Sequence, residues 1–184
     1  MKKTQKKMRK KDKDAINFNM KESKAEFEKG EKEFRKRHIK KAHDHFLAAT
    51  DKCQENHEAH ARLAEVLIEL KDYVKAHQHL ETAIHYSQKC ARYHYLKGKI
   101  FFNSGQWEEA LGEFKRAMLE DGPDKEVVFP YMVAEMYFKL GKYDEAIENY
   151  REAEKAVANF DQGRGKFTKY SLESRILADV TVSY

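Results

Sequence analysis

Nine histidines, His38, His43, His45, His57, His60, His77, His79, His85 and His94, are the side chains of this chain best able to do chemistry. Imidazole can hold a transition metal or exchange a proton near neutral pH. Spacing argues against the metal. His43 and His45, like His77 and His79, are two residues apart, and on a helix such neighbours point about 200° from each other, so neither pair can chelate one ion. His43 matches His77, His45 matches His79 and His60 matches His94 at a separation of 34, so these residues recur with a unit much longer than a helical turn. Surface or interhelical histidines are therefore expected, with no metal, no cofactor and a pH response as their residual chemistry. Cys53 and Cys90 have neither the number nor the spacing of a disulfide framework or zinc site and are read as reduced, partly buried thiols. The sequence has no glycine-rich phosphate loop, no His-Glu-x-x-His and no nucleophile elbow, and its carboxylates alternate with lysines on solvated faces, as in Lys142 to Glu148. No catalytic residue and no enzyme activity is expected.

The elements that carry these residues are helices. In 184 residues, 36% are charged and 41% hydrophobic, with only 8 Gly and 2 Pro, a composition that excludes sandwiches, barrels and collagen-like folds. The formal net charge of +5 is a property of the N-terminus, where Lys2, Lys3, Lys6, Lys7, Arg9, Lys10, Lys11 and Lys13 face only Asp12 and Asp14. The rest of the chain is nearly neutral. Residues 1–19 are expected to be a basic tail, disordered or a frayed helix, because the dense charge leaves little apolar surface to bury. Its chemistry suits a solubilising tail, a nuclear address, a nucleic-acid arm or an anionic membrane tether. No run of about 18 apolar residues occurs and the N-terminal lysines precede no apolar stretch, so neither a membrane span nor a secretory signal is expected. The expected compartment is the cytoplasm, with the nucleus as the alternative.

Self-similarity organises the remainder. Ala42, Ala76 and Ala110 are 34 residues apart, and Ala146 follows after 36, the extra residues falling in the Gly122, Pro123, Asp124 turn. Ile39, Tyr73, Trp107 and Tyr143 lie three residues before each alanine, Phe46, Leu80, Phe114 and Tyr150 four after it, and Ala49, Ala83, Ala117 and Ala153 seven after it. This is one stripe of an amphipathic helix repeated four times. A second helical segment precedes each stripe, as in Tyr95, Gly98, Phe101 and Phe102 or Val133, Ala134, Tyr137 and Leu140, and Gly105 and Gly141 end these segments where a left-handed turn is needed. A single helix hairpin cannot hide its stripe, so the copies must stack.

These residues resemble the tetratricopeptide repeat (TPR), most closely in Gly105, Trp107 and Ala110 and in Gly141, Tyr143 and Ala146. Tyr73 and Ala76 match with Lys71 in place of the glycine. The first copy is divergent: Gly30 occupies the small position, Phe27 and Phe34 stand one place from the usual aromatics, and Arg37 replaces the turn glycine. The resemblance implies an all-α, right-handed α-solenoid of about four hairpins over residues 20–161, with repeats near 23–56, 57–90, 91–126 and 127–160. Residues 162–184 follow Gly163, Arg164 and Gly165 and carry Leu172, Ile176, Leu177 and Val180, a stripe suited to a C-terminal capping helix or a shortened fifth repeat.

The resemblance also implies which positions face the concave wall: Glu58, Ala61, Glu65, Ile68 and Glu69; Arg92, Tyr95, Lys99, Phe102 and Asn103; Val128, Tyr131, Glu135, Phe138 and Lys139. Tyr95 and Phe102, and Tyr131 and Phe138, are each seven apart and are expected to form two ladders of rings able to anchor a foreign segment. The carboxylate clamp by which some members hold acidic chaperone tails is missing, since Ala61, Glu65, Met132 and Val128 stand where its basic and amide residues belong. The expected function is a non-enzymatic adaptor or scaffold binding an apolar or amphipathic peptide or helix of another protein in the groove, its basic groups toward the glutamates of the second repeat. The alternatives are a secretion-type chaperone for a hydrophobic cargo, or a nuclear or ribonucleoprotein subunit that meets nucleic acid or anionic membrane only through the tail. Self-association is kept open.

Overall fold

A computed structural model describes residues 2–87, 90–120 and 128–161. Among these are eight helices and no strand: α1 (Lys2–Arg35), α2 (Ile39–Lys52), α3 (His57–Glu69), α4 (Tyr73–Tyr86), α5 (Ala91–Asn103), α6 (Trp107–Leu119), α7 (Val128–Lys139) and α8 (Tyr143–Asp161). They pair as hairpins, α1 with α2, α3 with α4, α5 with α6 and α7 with α8. Helices α1–α4 and α5–α8 form two compact units.

The repeated stripe makes the core of both units. Ala42, Ala49, Ala76 and Ala83 are fully buried in the first, as are Phe46 and Leu80 between them; Ala110, Ala117 and Phe114 are fully buried in the second. Removing a side chain the size of Phe46 or Phe114 from water contributes about 2–3 kcal/mol. The divergent first repeat joins the same plan, with the rings of Phe27 and Phe34 centred 5.6 and 6.5 Å from that of Phe46.

Each hairpin turns through one residue in the left-handed region: Arg37 (φ 62°), Lys71 (φ 64°), Gly105 (φ 74°) and Gly141 (φ 72°). The helix ends there in a Schellman arrangement. Gln106 N–H donates to the Phe101 carbonyl and Gly105 N–H to that of Phe102, and the same two bonds recur from Asp72 and Lys71, and from Lys142 and Gly141. The backbone thus takes one turn in all four copies, whether or not glycine is there.

Helix α1 begins within the basic tail. The segment expected to be disordered or frayed is helical from Lys2 and runs unbroken into the first repeat. Its physical basis is local: lysine, glutamate, glutamine, methionine and alanine are good helix formers, and neither glycine nor proline interrupts them before Gly30. Charge density argued against burial, but a helix continued from a packed segment needs no new nucleus. The side chains of the eight basic residues from Lys2 to Lys13, and the whole of residues 162–184 with the expected cap, lie outside the described residues.

Candidate functional site

Helices α5 and α7 carry the expected rings, and the structure sorts them by depth. Tyr95 is half-buried, its ring centred 5.8 Å from Phe114 and 5.6 Å from Phe129. Tyr131 is only 7% exposed. Its ring lies 5.6 Å from that of Tyr150, and both hydroxyls donate to Oε1 of Glu135, at 3.1 and 3.2 Å. Tyr131 therefore leaves the expected binding surface, because its hydroxyl finds a carboxylate inside the hairpin and its ring completes the α7–α8 core.

The outer members of the ladders stay partly open. Phe102 meets Trp107 edge-on at 5.6 Å, and Phe138 meets Tyr143 edge-on at 5.7 Å, each ring flanked by the first residue of the next helix. Lysines lie over one ring of each ladder: Lys99 Nζ is 5.8 Å from the Tyr95 ring centre and Lys139 Nζ is 6.0 Å from that of Phe138. Asn103 is exposed and turns its amide onto the Lys99 carbonyl at 2.8 Å, while Arg92 and Val128 are half-buried. The two positions seven residues after Tyr95 and Tyr131 thus present half-buried rings, with an ammonium group over Phe138 and another over Tyr95.

The corresponding positions of α3 are differently used. Ile68 is buried at 7% exposure and is not a surface residue. Glu65 accepts from Arg62 at 2.9 Å, and Arg62 pairs at the same time with both oxygens of Glu31 on α1, at 2.6 and 3.1 Å. The Arg62 guanidinium also sits 5.6 Å over the Phe34 ring. Glu69 lies 3.6 Å from Arg37, and Glu58 is exposed. An arginine thus answers two of the three glutamates expected to attract basic groups, Arg62 from within α3 and Arg37 from the preceding repeat.

A second polar row runs inside the hairpins. Glu26 and His45 meet at 2.8 Å, His60 and His79 at 3.0 Å, and His94 and Glu113 at 2.8 Å, each pair 19 residues apart. Pro130 and Asn149 hold the same register in α7 and α8. The recurrence at 34 relates the histidines of successive repeats, whereas their partners lie 19 residues away across the hairpin. Among the described residues, no group of three or more histidines, cysteines or carboxylates is placed to hold a metal ion.

The comparisons with known proteins follow this architecture. A family model described as "Tetratricopeptide repeat" matches residues 35–100, and one described as "Anaphase-promoting complex, cyclosome, subunit 3" matches residues 82–153. Residues 35–100 thus carry tetratricopeptide repeats. The hairpins place the chain among all-α helical-repeat solenoids, and solved TPR structures resemble it. MamA from Desulfovibrio magneticus RS-1, from residue 41 onward, superposes with a TM-score of 0.68 at 19% identity, covering 74% of this chain and 76% of that one. YrrB, described as a TPR protein with an unusual peptide-binding site, gives a TM-score of 0.63 at 23% identity over 73% of this chain and 68% of its own. The TPR domain of Arabidopsis OM64 gives 0.60 at 19% identity over 64% and 96%. At such identities the likeness is one of fold. Comparison with curated proteins finds no match.

Proposed function

We propose that this TPR protein is a non-enzymatic scaffold that holds an apolar or amphipathic segment of a partner protein against the first helices of its third and fourth repeats. The observation that carries the reading is the pair of half-buried rings Phe102 and Phe138, set at equivalent positions of α5 and α7, with Lys139 over the Phe138 ring and Lys99 over the Tyr95 ring. Rings already fixed by edge-on neighbours lose little freedom when a ligand covers them, and their apolar faces reward desolvation. The lysines favour carboxylates flanking the apolar residues of the bound segment. A peptide-binding site described for the similar YrrB supports a protein ligand. The test is affinity purification of the full chain followed by crosslinking mass spectrometry. Crosslinks from one partner at Lys99 and Lys139, and at least a tenfold loss of that partner's affinity in F102A and F138A with the helical circular dichroism unchanged, are expected. Undiminished binding by the double variant would refute the reading.

A further inference from the structure

Three hairpins place a polar pair at one register, and the second differs from its neighbours in kind. Glu26–His45 and His94–Glu113 join an imidazole to a carboxylate, whereas His60–His79 joins two imidazoles Nδ1 to Nδ1 at 3.0 Å, their ring centres 5.2 Å apart. That short contact requires one nitrogen to donate and the other to accept, so both rings must be neutral or share a single proton. His60 is 6% exposed and its Nε2 is buried without a well-formed hydrogen bond. We propose that His60 and His79 form a proton-sensitive latch that opens the α3–α4 hairpin in mild acid, while α1–α2 and α5–α6 stay closed.

The surroundings agree on the direction. Burial lowers the His60 pKa from 6.5 to about 4, with the neighbouring His79 acting in the same sense and outweighing the backbone of Gln54. Burial lowers that of His79 too, helped by His43 on α2 and opposed by Asp51 on the same helix. The opened hairpin takes up protons near pH 6.5 that the closed one refuses until about pH 4, so stability present above 6.5 is lost as the pH falls through that window. The carboxylate pairs behave otherwise. Hydrogen bonds from Lys29 and His45 hold Glu26 below the usual carboxylate range; burial pushes Glu113 up, but His94, Lys97 and Arg116 together bring it lower. In mild acid both carboxylates stay charged opposite their imidazoles.

The experiment is hydrogen exchange with mass spectrometry on the full chain at pH 7.5 and pH 5, with rates corrected for the intrinsic effect of pH on exchange. For peptides within 57–86, His60 alone is expected to raise the opening constant about 30-fold at pH 5, with peptides within 91–119 changing less than about threefold. H79E, which installs the pairing of His94 and Glu113, is expected to keep 57–86 protected at pH 5. H60Q, an independent variant should H79E fold poorly, is expected to reduce the acid response at least fivefold. Equal responses of 57–86 and 91–119, or a wild-type response in the folded variants, would overturn the proposal.

Discussion

A Cβ placed on Gly98 would lie 2.5 Å from Cε1 of the Phe114 ring, closer than side chains pack. Gly30 stands in the same relation to Phe46, also at 2.5 Å. At this separation of 16 residues the other hairpins have Ala64 with Leu80 and Ala134 with Tyr150, all buried. In these hairpins glycine stands opposite phenylalanine, and alanine opposite leucine or tyrosine.

Gly98→Ala is therefore expected to destabilise the chain by about 1–3 kcal/mol, although alanine is the better helix former by about 1 kcal/mol. Combining it with F114L, which reproduces the pairing of Ala64 and Leu80, should recover part of the loss. Urea unfolding of the two single variants and the double one measures the coupling; strict additivity would contradict the steric account.

Lys71 adopts φ 64° where Gly105 and Gly141 adopt 74° and 72°. A side chain in this region costs about 1 kcal/mol, so Lys71→Gly should stabilise the protein by roughly 0.5–1 kcal/mol, partly offset by the greater entropy of glycine in the unfolded chain. Thermal unfolding followed by circular dichroism would show it as a rise of a few degrees.

Asn56 makes two bonds of different range. Its Oδ1 accepts from Ala59 N–H at the start of α3, and its Nδ2 donates to Ser23 Oγ, which donates in turn to the Ala49 carbonyl at 2.6 Å. Asn56→Ala removes a helix cap and leaves a buried hydroxyl short of a donor, an expected cost of about 2 kcal/mol; Ser23→Ala should cost about 1 kcal/mol. A shift of the denaturant midpoint without a change in slope is the outcome anticipated for both.

Glu113 gathers His94 at 2.8 Å, Arg116 at 3.1 Å and Lys97 at 3.5 Å while itself 7% exposed. Its burial disfavours the charge, but these three donors lower its pKa below 4.5 overall. A carboxyl held lower in the folded state contributes stability that is present above the unfolded value and lost as the pH falls through the folded one. Glu113→Gln should thus cost roughly 2 kcal/mol at pH 7, and the difference from the wild type should shrink below pH 4.5. Parallel melts from pH 7 to pH 3 would reveal the convergence.

The alanine stripe and the turns at Gly105 and Gly141 were legible because burial and backbone sterics restrict residue type at one position at a time. Lys71 and Arg37 were visible as departures, but only backbone hydrogen bonding shows that they keep the glycine conformation. Tyr95 and Tyr131 read alike in the sequence and differ in depth because Tyr131 has Glu135 and Tyr150 within reach. For the start of α1 the charge left disorder and a frayed helix both open, because charge speaks to burial and not to local propensity. The histidine pairs were hidden for another reason: their register crosses the hairpin, while the recurrence at 34 relates one repeat to the next.

Ser23 also sets a limit on shortening the protein. Its hydroxyl belongs to α1 yet sits against the end of α2 and the entrance to α3, so three helices share one small polar knot. Trimming from the front up to Met20 spares that knot. Cutting past Ser23 would unsettle the beginning of the second repeat as well as the first, and the smallest autonomous version of the first unit must start before it.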